Sequence, residues 1–91
     1  MKSARVNIEF SSFFKRRLKK LNPQVLNKLP KLFKLFINNP FHPKLKAHKL
    51  KGKLKNCYAF YITPNIRIIF KFLNKSTAIF INIGTHDQVY R

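Results

Sequence analysis

From Val6 to Phe10 apolar residues alternate with Asn7 and Glu9, the period of a strand with one buried face. At Phe10 the spacing changes, and Phe10, Phe13, Phe14, Leu18 and Leu21 recur at helical intervals, with Lys15, Arg16, Arg17, Lys19 and Lys20 between them. Ser11 and Ser12 offer an N-cap, so the pattern predicts an amphipathic first helix with a basic outer face. Asn22-Pro23 closes that helix and opens another, because asparagine caps well and proline suits the first helical position. Val25, Leu26, Leu29, Leu32, Phe33, Phe36 and Ile37 then make one apolar stripe that contains Pro30. A proline inside a regular helix removes a hydrogen bond and clashes with the preceding turn, at about 3 kcal/mol. The stripe therefore predicts either a kink or a short turn followed by a helix starting at Pro30.

Asn38-Asn39-Pro40 ends the helical region, and Phe41-His42-Pro43 continues as an extended loop. His42, set between Phe41 and Pro43, reads as structural. Lys44 to Lys55 is densely basic, but its Leu45, Leu50 and Leu54 place it on the core surface, with a turn at Gly52. From Cys57 the period becomes that of a sheet: Tyr58, Phe60 and Ile62; Ile66, Ile68, Phe70 and Phe72; Ile79, Ile81 and Ile83. Thr63-Pro64-Asn65 and Asn74-Lys75-Ser76 are too short for anything but hairpins, so these strands form an antiparallel meander. The expected fold is α+β: a small antiparallel sheet, made of the N-terminal strand and the C-terminal meander, with two N-terminal helices packed on one face.

The same alternation assigns the other face. Ala59 and Tyr61 oppose the apolar set of their strand, as Arg67, Ile69 and Lys71 oppose theirs. If Ile62 and Ile66 close the first hairpin, Tyr61 lies directly across from Arg67. A two-residue second turn at Asn74-Lys75 would add Asn82 beside Arg67, giving a polar patch of Tyr61, Arg67 and Asn82. The ending leaves the last strand at Gly84 and returns His86 and Tyr90 at i,i+4 spacing, so one helical turn aims both the same way.

Charge narrows what such a patch can do. Twenty lysines and arginines stand against two carboxylates, Glu9 and Asp87, for a formal net charge of +18 in 91 residues. That imbalance selects a polyanionic partner. It also excludes paired-carboxylate catalysis and carboxylate-rich magnesium or calcium sites. High charge alone would suggest disorder, yet the chain is 45% hydrophobic with ten Phe and three Tyr, so a single folded domain over residues 1–91 is expected. Cys57 is the only cysteine, which excludes an internal disulfide and a cysteine-rich zinc module, and no acid or histidine is patterned beside it as for a thiol nucleophile. Met1 to Arg5 is basic but leads into too short an apolar stretch for a secretory signal, and no run reaches the roughly 20 apolar residues of a bilayer span. A soluble cytoplasmic protein without small-molecule cofactor is the expectation. A basic groove with an arginine, histidines and phenols suits metal-free cleavage or clamping of a phosphodiester.

The order of these segments resembles the RelE/ParE superfamily of bacterial toxins, most of all its RelE/StbE and YafQ-type ribonuclease branch. The likeness runs through His48-Lys49-Leu50-Lys51-Gly52, the strands around Tyr58 to Phe70 with Arg67-Ile68-Ile69-Phe70, and the ending Ile83-Gly84-Thr85-His86-Asp87-Gln88-Val89-Tyr90. The resemblance implies a RelE-like, microbial-RNase-like fold and a type II toxin that cuts messenger RNA in the ribosomal A site without a metal. There the 2′-hydroxyl attacks the adjacent phosphate, and an acidic antitoxin holds the toxin inactive.

By position, the resemblance makes Arg67 the residue that stabilises charge on the phosphate, His86 the general acid, Tyr90 the aromatic that orients the substrate, and His48 a candidate acid or base. Lys49, Lys51, Lys53 and Lys55 would bind the RNA backbone. Tyr61, Asn65 and Asn82 are expected at the substrate, but each departs from the pattern: relatives place a basic residue or histidine, an aspartate and an arginine there. The departures leave the general base unassigned. Other readings of the same features are a non-catalytic RNA- or ribosome-binding module, a ParE-like inhibitor of DNA gyrase, and an inactive homologue that keeps its antitoxin surface.

Overall fold

In the computed structural model, which describes residues 5–90, Ser11 ends one element and starts the next. It follows strand β1 (Asn7–Phe10) and caps helix α1 (Ser12–Leu18), where the Phe14 N–H donates to its Oγ at 2.9 Å. The same hydroxyl donates to the Ile81 carbonyl at 2.9 Å and ties the helix to the sheet. Asn22 repeats the device for α2 (Pro23–Leu26), its Oδ1 accepting from the Val25 N–H at 3.0 Å. Pro30 kinks nothing. It stands in the first turn of a separate helix, α3 (Leu29–Asn38), where its missing N–H leaves no intrahelical bond unmade. The expected second helix is therefore two segments, the later one starting one residue before Pro30. Residues 1–4 and Arg91, part of the basic N-terminus and of the C-terminal segment read above, lie outside the described residues.

Five strands follow the order β1-β5-β4-β3-β2, with β2 (His48–Lys49), β3 (Tyr58–Tyr61), β4 (Arg67–Asn74) and β5 (Thr77–Gly84). The last three form the expected antiparallel meander. The Ile62 N–H donates to the Ile66 carbonyl at 2.8 Å and closes the first hairpin, so Tyr61 does face Arg67. The sheet is not antiparallel throughout, because β1 runs parallel to β5. No hairpin joins these two; the chain between them passes over the helical layer, and a crossover is what brings strands side by side in parallel. The short edge strand β2 arises inside the basic segment, antiparallel to β3.

The second hairpin departs from the pattern-based register. Asn74 faces Thr77 across a Lys75-Ser76 turn, and two register shifts leave Leu73 on β4 and Ile81 on β5 without an opposite residue. A bulge inverts the alternation of its strand. Hence Ala78, Phe80 and Ile83 enter the helix-side core, while Ile81 packs on the opposite face with Cys57, Ala59, Ile69 and Val89. The stripe expected from Ile79, Ile81 and Ile83 does not exist as one face. The helix-side core centres on Phe36, fully buried and edge-on to Phe70 and Phe80 at 4.9 Å between centroids.

The basic segment wraps the β2 edge. Leu45 is buried under the helices, whereas Leu50 and Leu54 pack on the other face. His42 Nδ1 accepts from the Lys44 N–H at 3.1 Å and caps the tight turn Pro43–Leu45, which accounts for it structurally. Gly52 turns at φ +72°, a conformation that favours glycine. No helix among the described residues is long and apolar enough to cross a membrane.

Candidate active site

Helices α1 to α3 occupy one face of the sheet, and the polar candidates gather on the other. Arg67, first residue of β4, directs its guanidinium over the Tyr61 ring across the ladder, Cζ lying 4.6 Å from the ring centre. The Tyr90 ring centre is 5.6 Å from the same carbon. Two phenol rings thus hold a cation for which the chain has almost no carboxylate. Glu9 belongs to β1 at the far edge, and the Asp87 carboxylate lies 3.6 Å from His86 Nδ1. Among the described residues Arg67 Nε is the one buried side-chain polar atom without a hydrogen-bond partner. A guanidinium left short of acceptors on a basic surface is a ready phosphate site.

Histidines flank this pair. His48 is placed by the pairing of β2 with Ala59 on β3, and its ring stacks on Tyr61 at 5.9 Å and 29°. His86 opens the C-terminal helix α4 (His86–Val89) and contacts the Tyr90 ring at 4.5 Å between centroids. Pairwise contacts connect the five side chains in the order His48, Tyr61, Arg67, Tyr90 and His86.

The last two depend on how α4 is set. Thr85 caps it, its Oγ1 accepting from the Gln88 N–H at 3.3 Å while Gln88 Oε1 accepts from the Thr85 N–H at 2.9 Å. The box has the local form Thr85-His86-Asp87-Gln88, a threonine followed three residues later by a glutamine, a signal that the periodicity reading passed over. Val89 is buried against Ile69, Ala59 and Cys57, and Tyr90 packs half-buried on the same cluster. Tyr90 is at once a core anchor and a wall of the Arg67 site. Gly84, opposite Arg67, has no room for a side chain: a Cβ there would lie 2.6 Å from Gln88 Oε1 and 2.9 Å from an Arg17 guanidinium nitrogen. Arg17 was expected on the solvent face of α1, but it is half-buried and its Nε donates to the Ile83 carbonyl at 3.4 Å. Helical periodicity carries no signal for that reach.

The remaining candidates lie outside this series. Asn82 shares the face of Arg67 but sits opposite Ile69, two pairs further along, because the real turn and bulges shift the register. Its Oδ1 accepts from the Ile83 N–H. Asn65 is exposed in the β3–β4 turn, where its N–H donates to Thr63 Oγ1. Lys49, Lys51 and Lys55 line a concavity at the β2 edge with Leu50, Gly52 and Asn56, and Lys53 is exposed on the following turn. Pattern reading did not single out a second concavity of about 490 Å³, lined by Lys44, Lys46, Tyr61, Ile62, Thr63 and Pro64, which carries positive charge up to Tyr61.

Two further groups bear on chemistry. Cys57 is buried, and burial pushes its thiol up from the ordinary range while the nearby Lys71 charge opposes this weakly; it is a packing residue. Among the described residues no three His, Cys, Asp or Glu side chains stand together as for a metal ion.

The profile of YafQ, bacterial toxin of type II toxin–antitoxin systems, matches residues 6–91. YafQ from E. coli has the same fold, with 28% identity and a TM-score of 0.78 over 94% of this chain and 99% of its own. The E. coli DinJ–YafQ toxin–antitoxin complex gives 27% identity and a TM-score of 0.76, covering 96% and 99%. A YoeB/ParE toxin from Agrobacterium tumefaciens shares the fold at 15% identity and a TM-score of 0.74, covering 89% and 99%. No curated protein matches the sequence significantly.

Proposed function

The chain belongs to the YafQ family of bacterial type II toxins, and from that premise we propose that it cuts messenger RNA on the ribosome without a metal. The observation that carries the reading is the series of contacts His48, Tyr61, Arg67, Tyr90 and His86, in which one guanidinium is linked through a phenol ring to each of two imidazoles. In this reading a phosphate bound at Arg67 is served by both histidines. The 2′-hydroxyl attacks the adjacent phosphorus, and its proton passes to a ring nitrogen. Arg67 balances the charge that grows on the phosphoryl oxygens. As the P–O5′ bond breaks, His86 donates a proton to the leaving 5′-oxygen, so the products are a cyclic phosphate and a 5′-hydroxyl. Tyr90 orients the neighbouring base. The lysines of both concavities hold the RNA backbone, and Asn65 and Asn82 lie at the margins of the bound strand.

The same basic face suits a cognate antitoxin with an acidic segment, in keeping with the solved DinJ–YafQ pair of E. coli. Such a partner would mask the guanidinium and relieve the repulsion of a +18 chain.

The test is to add the purified protein to translating ribosomes and to the same naked RNA, and to map new 5′ ends by primer extension. Cuts within the A-site codon that vanish in Arg67→Ala and His86→Ala, with ribosome binding retained, are expected. Absence of cleavage on both substrates despite demonstrated ribosome binding would overturn the reading.

A further inference from the structure

Two histidines in the described structure meet the backbone through Nδ1, and they do so in opposite senses. His42 Nδ1 accepts from the Lys44 N–H, so that nitrogen carries no proton in the neutral ring. His48 Nδ1 lies 3.3 Å from the Lys46 carbonyl oxygen. A carbonyl oxygen can only accept, so this contact requires the proton on Nδ1 and leaves the lone pair of the neutral ring on Nε2.

What turns that carbonyl toward the ring is the backbone of Lys46. It is the only described residue other than glycine at positive φ, with φ 53° and ψ 39°. The left-handed conformation ends the tight turn Pro43–Leu45, a position where glycine or asparagine is the easy choice and a lysine is strained. His48 itself is held at two further points. Its backbone pairs with Ala59, and its ring stacks on Tyr61, the same ring that carries Arg67. With backbone, ring plane and Nδ1 all fixed, the direction of Nε2 is fixed as well.

We infer that Lys46 is a positioning residue: its left-handed backbone locks His48 in the Nδ1–H tautomer and so makes Nε2 the proton acceptor of the site. The final step, that the proton accepted is that of the 2′-hydroxyl, rests on the ribonuclease reading. The tautomer does not. This assignment supplies a base where the departures at Tyr61 and Asn65 left none, and it pairs with His86 as acid at the other end of the series of contacts. The Lys46 side chain belongs to the concavity beside Tyr61, so one residue serves the site through both its charge and its carbonyl.

The experiment records long-range proton–nitrogen correlations of the imidazoles in nitrogen-15-labelled protein, at a pH where the rings are neutral. The expected result is Nδ1–H for His48 and Nε2–H for His42. An Nε2–H His48 in the parent protein overturns the inference whether or not any RNA is cut. Lys46→Gly and Lys46→Val remove the same charge but differ in backbone preference, because glycine enters the left-handed region freely and a β-branched residue does not. Lys46→Gly should keep the Nδ1–H tautomer. Lys46→Val should lose it, with kcat about 10²-fold below that of Lys46→Gly, which lacks the same charge; this is the lower range of what a general base contributes. Equal kcat for the two variants would remove Lys46 from the positioning role. A parent that shows the Nδ1–H tautomer but cleaves nothing would leave the tautomer standing and defeat only the ribonuclease reading.

Discussion

Arg67 and Tyr61 face each other across the β3–β4 ladder, and the guanidinium carbon lies 4.6 Å above the phenol ring. The contact holds a cation in place without neutralising it. A cation over an aromatic face gains about 0.5–1 kcal/mol, less than the roughly 1–3 kcal/mol that a buried polar atom loses when left unbonded. The site therefore stores a small instability at Arg67 Nε, which a phosphate oxygen would relieve.

Arg67→Met tests that balance. Methionine fills similar space and removes the orphan donor, so the variant should resist urea as well as the parent or better, by up to about 2 kcal/mol. Cleavage should be lost at the same time. A variant markedly less stable than the parent would show that the guanidinium holds the fold together.

Gly84→Ala separates the placement of α4 from its chemistry. The added methyl group meets Gln88 and Arg17, so Gln88 must release the Thr85 N–H. Loss of the capping box should lower stability by about 1 kcal/mol. A displacement of His86 and Tyr90 by a fraction of an ångström to an ångström should slow single-turnover cleavage by about tenfold to a hundredfold. Thermal melts and cleavage rates on one preparation check both.

Salt should act in opposite directions on stability and on RNA binding. Repulsion within a +18 chain is screened by added ions, so the midpoint of unfolding should rise with moderate salt. Binding to single-stranded RNA should weaken, log K falling by about 0.7 per log unit of salt for each phosphate neutralised. Substituting Lys49, Lys51 and Lys55 by Gln should reduce that slope, measured by fluorescence anisotropy.

Cys57 gives the pH dependence a definite sign. Burial raises its pKa above the ordinary 9.0, so the folded thiol stays protonated where the unfolded one ionises. Below that pH both states hold the proton, and the group contributes nothing to the pH dependence. Above it the unfolded chain loses the proton first, and stability falls until the folded pKa is passed. Alkylation by iodoacetamide at neutral pH should accordingly be slow and should speed up on unfolding. A thiol that reacts rapidly in the native protein would contradict this.

Much of this was legible along the chain because it is local. Ser11 and Asn22 cap the helices they were expected to cap, and the Ile62–Ile66 closure set Tyr61 against Arg67. Pattern failed where two strands must negotiate. The second hairpin turns one residue later than expected and carries bulges at Leu73 and Ile81, so Asn82 moved two pairs away from Arg67 and Ile81 changed faces. A bulge has no composition of its own here: Leu73 and Ile81 are apolar like the Phe72 and Phe80 that precede them. Periodicity has no memory of one skipped residue.

The amino-acid sequence by itself determined the element types, the basic character of the surface, the near absence of carboxylates and the side chains available for chemistry, since these follow from local spacing and count. Only the tertiary structure decided the parallel docking of β1, the bulged register, the reach of Arg17 to Ile83 and the left-handed turn at Lys46. It alone linked His48 and His86, 38 residues apart in the chain, to one guanidinium through Tyr61 and Tyr90. Contacts of that kind are set by packing two faces of a sheet at once, and no local pattern encodes which residue of one element must yield to fit another.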